Sequence, residues 1–291
     1  MLSFQEIIFT LQEYWHNYGC VILQPSTTEV GAGTLHPATI FNAVDKNNCK
    51  IAYVQPVIRP ADGRYGNNPN RLYQHHQYQV LLKPSPLNLQ DLYLKSLEKL
   101  GISLKEHDIR FVEDDWENPS VGAWGLGWEV WCDGMEISQF TYMQQVASLE
   151  CDVIPGELAY GLERLAMYIQ DVNDVYHIKW NKQGLTYGDI YKRNEYEFST
   201  AALDDYNTDS LLSQINDIED RCQELLEKNL PVAAYDQCLK ASHTLNLLDA
   251  SGTLGATERA AYILKVRNLV KLCCKAYKDS PIPRTINPYN I

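Results

Sequence analysis

"VIRPADGRYGNNPNRLYQHHQYQVLL", residues 57–82, reads as a β-strand, a polar loop rich in glycine, asparagine and arginine, and a returning strand. Arg59 ends the first strand, Arg64 and Arg71 sit in the loop, and His75, His76 and Tyr78 lie on the return. A guanidinium fork grips phosphate oxygens in pairs and an aromatic ring stacks on a base, so the hairpin is a candidate nucleotide site. The same charges would equally suit a solvated hairpin whose edge is guarded against aggregation.

The flanking segments set the fold class. Phe4, Ile7, Ile8, Leu11, Tyr14 and Trp15 recur at helical spacing, with no basic segment ahead of them, and predict a mature amphipathic helix. Residues 20–41 read as a strand-like run followed by glycine-rich turns, and residues 49–60 as a strand. Leu89, Leu92, Tyr93, Ser96, Leu97 and Leu100 share one helical face that Gly101 ends. Residues 109–145 hold short strands, with Asp133-Gly134 as a hairpin turn. Hairpins with few helices predict an α+β fold with a mainly antiparallel sheet.

The pattern turns helical throughout from about residue 205. Leu211, Leu212, Ile215, Ile218, Cys222, Leu225 and Leu226 form one stripe, Pro231 interrupts it, and two helices follow at about 231–248 and 256–277. The boundary falls near residue 200, giving a domain over 1–200 and a C-terminal helical domain over 201–291. The prolines of the tail "SPIPRTINPYNI" suggest an irregular end.

A formal net charge of −12 argues against a protein that grips nucleic acid mainly by itself, because phosphate contacts supply much of such affinity. Any nucleic acid handled here would be held largely by another chain. No apolar run approaches the roughly 18 residues that span a bilayer, so no membrane anchor is expected. The eight cysteines include no CxxC pair, and the adjacent Cys273-Cys274 cannot easily turn both thiolates to one metal. They read as reduced, mostly buried thiols of a cytoplasmic protein.

A second constellation is "PGELAYGLERLAMYIQ", residues 155–170, where strand gives way to helix near Gly161. Gly156, Ala159 and Gly161 leave room for a ligand to approach, and Arg164 in the first helical turn would meet an anion beside the helix dipole. By itself the segment reads equally as a plain strand-to-helix turn with a surface Glu-Arg pair.

Together the two segments resemble motifs 2 and 3 of the class II aminoacyl-tRNA synthetases. "GAGTLHPATIF" (31–41), "YVQP" (53–56), "DIRFVEDDWENPSVGAWGLGWEVW" (108–131) and "GMEISQFTYMQQV" (134–146) narrow the likeness. With them the chain resembles the alpha subunit of the bacterial heterotetrameric glycyl-tRNA synthetase over nearly its whole length, least after residue 180. The resemblance implies a class II core of antiparallel sheet flanked by helices and followed by a helical bundle. It implies activation of glycine by ATP to glycyl-adenylate and, with a beta subunit, transfer to the 3′ end of tRNA(Gly). It also implies an alpha–alpha homodimer, formed through residues 21–55, within an alpha2beta2 assembly.

Residue by residue, the resemblance assigns Arg59 to the ATP α-phosphate, Tyr78 to stacking on adenine, and Arg164 to the γ-phosphate and the other adenine face. Asp62, Arg71, His75, His76 and Glu129 join the nucleotide site, and Glu129 with Glu136 offers hard oxygen donors for Mg²⁺. Glu157 is assigned the glycine ammonium group, with Trp116, Gln139 and Trp124 closing the pocket. Two departures stand out. The acidic residue two positions after the arginine is Ala61, with Asp62 one later, and the basic residue four before the aromatic is Gln74, with His75 or His76 left to serve the γ-phosphate.

Two other readings use the same residues. A stand-alone amino-acid-activating enzyme would keep the adenylate site without tRNA, and a non-catalytic paralogue would only bind a partner or sense amino acid. Retention of Arg59, Glu157 and Arg164 together argues against the latter.

Overall fold

The computed structural model describes residues 1–280; the tail over 281–291, with its expected irregular end, lies outside the described residues. Helix α1 (Phe4–Asn17) opens at a capping box in which the Glu6 carboxylate accepts from the Ser3 N–H and hydroxyl at 3.0 and 2.8 Å. It buries Phe4, Ile7, Leu11 and Trp15, one face at three- and four-residue spacing. Strand β1 (Val21–Ile22) is brief, and helix α2 (Pro37–Val44) follows where glycine-rich turns are predicted. Two local signals start α2: Pro37 fits the first helical position, and the His36 ring accepts the Ala38 N–H at 3.0 Å.

Strands β2 (Cys49–Ile58) and β3 (Gln74–Lys83) form the arginine hairpin, paired from Cys49↔Lys83 to Ile58↔Gln74. Helix α3 (Leu89–Lys99) crosses to β4 (Ile109–Glu113), β5 (Trp116–Asn118), β6 (Ala123–Cys132), β7 (Met135–Val146), β8 (Leu149–Glu150) and β9 (Gly156–Gly161). The β6–β7 turn has Asp133 and Gly134 both at positive φ, 48° and 87°, the geometry that twists a two-residue hairpin correctly. The sheet runs β1-β2-β3-β9-β7-β6-β4, antiparallel except for β1 on β2, with β5 and β8 attached to β6 and β7. The mainly antiparallel α+β architecture is the predicted one.

Helix α4 (Leu162–Gln170) leaves β9 directly, and α5 (Tyr187–Leu203), α6 (Thr208–Glu227), α7 (Pro231–Ala250) and α8 (Ala256–Asp279) complete the fold. Helical structure thus resumes at residue 187, well before 205. Helix α5 escapes pattern reading because it buries Tyr187, Glu195, Ser199 and Ala202, a face with hardly an apolar stripe. Its start is signalled chemically, by reciprocal hydrogen bonds between Thr186 and Asp189.

Two large cores flank the sheet, beside a small cluster of Cys49, Ile51, Tyr53 and Leu81. One packs α1, α3 and α4 against Tyr78, Val80, Leu82, Leu158 and Tyr160. The other joins α6, α7 and α8 to Val30, Leu35, Ile40, Phe41, Val121 and Met143, so the C-terminal helices share a single core with α2 and β7. Among the described residues no helix is long and apolar enough to cross a membrane.

Candidate active site

The period-two alternation of β3 decides which side chains meet a ligand. Tyr78, Val80 and Leu82 point into the α1 core, while His75 and Gln77 line an open cleft of about 740 Å³ on the other face. Arg59, Asp62, Arg71, Trp116, Glu136, Gln139, Glu157 and Arg164 line the same cleft. Residues from the loop after β2 and from β3, β5, β7, β9 and α4, scattered over 106 positions of sequence, therefore converge on one concave surface.

Arg59, just past β2, donates through Nε to the Gly31 carbonyl at 3.0 Å. Desolvation in the cleft lowers its pKa, opposed by Asp62 and Glu136, and Arg164 is close enough to add its repulsion. Arg164 forms an ion pair with the Glu136 carboxylate and donates to the Glu136 carbonyl at 3.3 Å. Arg71 approaches Asp62 at 4.0 Å. Three guanidinium groups thus face one space, and two of them, Arg71 and Arg164, have a carboxylate partner. Burial, the Arg59 charge and Arg164 together hold the His75 pKa down at about 3, so its ring is neutral at physiological pH.

Glu157 is 3% exposed at the cleft floor, and burial raises its pKa to about 7 against hydrogen bonds from Thr34 and Gln79. Gln79 Nε2 donates to Glu157 and its Oε1 is buried with no partner, leaving an orphan acceptor beside a carboxylate. Gly33 permits this crowding: a Cβ there would lie 2.5 Å from Gln79 Oε1, and the Gly33 N–H donates to Gln77 Oε1 at 2.7 Å. Gln139 Nε2 donates to the Asp114 carbonyl at 3.1 Å beside Gly127, where a Cβ would meet that amide at 2.9 Å.

The profile of the family described as "Glycyl-tRNA synthetase alpha subunit" matches residues 4–281. The chain belongs to that family. Proteins named "Glycine--tRNA ligase alpha subunit" from Rickettsia bellii (strain OSU 85-389) and Rickettsia canadensis (strain McKiel) are each 56% identical over 282 residues, covering 96% of this chain and 98% of theirs. Among solved structures, pyrrolysyl-tRNA synthetase from Desulfitobacterium hafniense aligns with TM-score 0.46 and 16% identity, over 63% of this chain and 76% of that one.

For this glycyl-tRNA synthetase alpha chain, four expected site residues need correction or relocation. Tyr78 is fully buried, its ring 6.0 Å from that of Tyr160 in the α1 core, so no base can stack on it. His76 shares that side of the sheet, where its ring is 2.8 Å from Glu163 and packed among Phe4, Trp180 and Tyr187; no phosphate reaches it. Trp124 is 40% exposed on β6 and lines no part of the cleft. Glu129 is paired with Gln139 on the sheet, but its carboxylate accepts the Trp131 indole N–H at 2.9 Å and lies outside the cleft lining.

The ring that does face the cleft is His75, four residues after Arg71. Arg71 and His75, a basic residue and a ring four positions apart that both line the cleft, lie three positions earlier than Gln74 and Tyr78. Thr34, Gln77, Gln79 and Ser138 were missed in the sequence. The signal for two of them was present, since polar 75, 77 and 79 alternate with apolar 78, 80 and 82.

Proposed function

We propose that the cleft makes this chain the catalytic alpha subunit of a glycine--tRNA ligase, condensing glycine with ATP to glycyl-adenylate and pyrophosphate. The observation that carries the reading is the convergence of Arg59 and Arg164 on one cleft whose floor holds the buried Glu157. A phosphate chain and an ammonium group demand opposite charges, and the site supplies both within one small volume.

Arg59 serves the α-phosphate, stabilising charge that grows on its equatorial oxygens as the glycine carboxylate attacks in line. Arg164 exchanges its Glu136 partner for the departing pyrophosphate, and Arg71 contributes a second fork near Asp62. The neutral His75 ring takes the adenine-facing place first given to Tyr78. Glu157 and the orphan Gln79 Oε1 accept from the substrate ammonium, and Trp116 with Gln139 fills the volume that a side chain would need. A lost methyl contact alone discriminates by roughly 10- to 200-fold, so steric exclusion of larger amino acids carries the selectivity.

Class II synthetases use ATP, generally with Mg²⁺. Glu136, a half-buried carboxylate on the cleft wall, has the hard oxygen donors this ion prefers, whereas Glu129, held by the Trp131 indole outside the cleft lining, does not join it. When bound, the ion neutralises phosphate charge. No covalent enzyme intermediate is needed; positioning and charge stabilisation suffice. The alpha-subunit family implies a beta-subunit partner and tRNA(Gly) as acceptor, and the net charge of −12 favours a division of labour in which the beta chain holds most of the tRNA in an alpha2beta2 complex.

The test is exchange of labelled pyrophosphate into ATP by the purified chain, alone and with its beta subunit, with glycine, alanine and serine. Glycine-dependent exchange that disappears in Arg59→Ala and Glu157→Ala supports the reading. Absence of exchange and of ATP binding in every condition overturns it.

A further inference from the structure

Outside the cleft lining, three cysteines meet within the core of the C-terminal bundle. Cys222 on α6, Cys238 on α7 and Cys273 on α8 have sulfur–sulfur distances of 3.7 Å (222–238), 3.9 Å (222–273) and 3.7 Å (238–273). All three residues are at most 1% exposed. Among the described residues they are the one group of three histidine, cysteine or acidic side chains whose donor atoms lie close enough to share an ion.

The triangle has the dimensions of a thiolate metal site. Sulfurs bound at about 2.3 Å around a tetrahedral ion lie about 3.8 Å apart, so these three describe one face of such a tetrahedron. A disulfide needs about 2.05 Å, joins only two of the three and leaves the last unexplained. Plain apolar packing would need no three residues of one kind, each from a different helix. The Ala234 carbonyl oxygen, 3.5 Å from the Cys222 sulfur, stands beside the triangle as an oxygen donor. Sequence spacing hides the arrangement, because 15 and 34 residues separate successive ligands and each helix supplies only one.

We propose that Cys222, Cys238 and Cys273 bind one thiophilic d¹⁰ ion, Zn²⁺ or Cu⁺, that ties α6, α7 and α8 together. Both ions favour thiolates. Each thiol releases its proton to solvent as the ion enters, so affinity rises with pH. The tie bears on the rest of the chain through α7, whose Tyr235 hydroxyl donates to the Leu35 carbonyl at 2.8 Å and whose Asp236 accepts from the Thr28 hydroxyl.

The experiment uses the full chain, purified anaerobically under reduction and without chelator. Bound metal is counted by elemental analysis, and the stripped chain is titrated with Zn²⁺, Cu⁺ and, as a spectroscopic stand-in, Co²⁺ against a chromogenic competitor. The expected result is one ion per chain and a sulfur-to-cobalt charge-transfer band. Cys222→Ser, Cys238→Ser and Cys273→Ser should each weaken binding by about 100-fold or more, while Cys274→Ser, buried next door but outside the triangle, leaves it intact. If a serine variant does not fold, alkylation mapping on the unaltered chain replaces it, with protection of these three thiols by the ion as the expected outcome. Stoichiometry below about a tenth of an ion per chain, binding that survives all three serine variants, or protection absent from these thiols overturns the proposal.

Discussion

The His76 imidazole and the Glu163 carboxylate meet at 2.8 Å at the edge of the cleft, with 6% and 7% of their side chains exposed. Glu163 also accepts the His76 backbone N–H at 2.8 and 3.0 Å and the Tyr187 hydroxyl at 3.0 Å. One carboxylate therefore locks the base of β3 to the first turn of α4, beside the arginine that faces the cleft.

Glu163→Gln leaves at least one of these donors without an acceptor, at a cost of about 1–3 kcal/mol in urea unfolding. The pH dependence has a definite sign. Burial would raise the Glu163 pKa, but the His76 ring and backbone hold it below the usual 4.5. Its stabilisation is therefore present above pH 4.5 and lost as pH falls through the lower folded value. Stability of the variant should fall less steeply than that of the unaltered chain as pH drops below 4.5.

Glu157 has the opposite sign. Its folded pKa of about 7 exceeds the reference 4.5, so its contribution to stability is present below 4.5 and lost as pH rises through 7. Glu157→Gln should raise the melting temperature of the ligand-free chain at pH 8 and change it little at pH 5. The same titration should appear in kcat/KM for glycine as a limb rising through about pH 7, because the ammonium group needs the carboxylate. A profile that keeps this limb in Glu157→Gln would contradict the assignment.

Tyr78 and His75 separate two accounts of the nucleotide site. The Tyr78 hydroxyl is buried without a partner, so Tyr78→Phe should be neutral or slightly stabilising; because it keeps the ring, the His75 variant is the one that discriminates. His75→Ala should raise KM for ATP, by about 10-fold if the ring contributes a typical base-stacking increment of 1–3 kcal/mol. Isotope-exchange kinetics over a range of ATP concentrations read the His75 effect.

Removing Arg59 or Arg164 should cost about 10²–10³-fold in the rate of pyrophosphate exchange, the size of the loss when one charge-stabilising donor is deleted. Arg59→Lys should restore little of it, since a point charge does not reproduce a paired fork. Circular dichroism should show both chains folded, as Arg164 is exposed and Arg59 lies on the open cleft.

Of the two tryptophans assigned to the pocket, only Trp116 lines the cleft. Trp116→Ala should let alanine support exchange and narrow the glycine preference by about 10- to 200-fold. Trp124→Ala, at an exposed position, should leave amino-acid preference as it is.

What could be read in the chain followed the range of the interactions involved. Helices α1, α3, α7 and α8, and the β6–β7 hairpin, announce themselves through periodicity and turn residues, all local signals. That Arg59, Arg164 and Glu157 belong together was legible because their segments carry recognisable strings, and they do line one cleft. The face of β3 was written in the alternation of polar 75, 77 and 79 with apolar 78, 80 and 82, but "QHHQYQVLL" offers a ring at 75, 76 and 78, and the likeness drew the reading to Tyr78 on the α1 side. Helix α5 was hidden by the polar residues it buries. The cysteine triangle was invisible for a simpler reason: three helices must fold before its members are neighbours.

The core that α6, α7 and α8 share with Val30, Leu35, Ile40 and Phe41 limits how the gene can be engineered. A fragment ending near residue 200 would leave those side chains bare, and Thr28 and Leu35 would lose the α7 groups that hold them. Minimal, split or fused versions of this enzyme must keep both halves in one body, because the bundle shares the core that supports α2 and the turn before it.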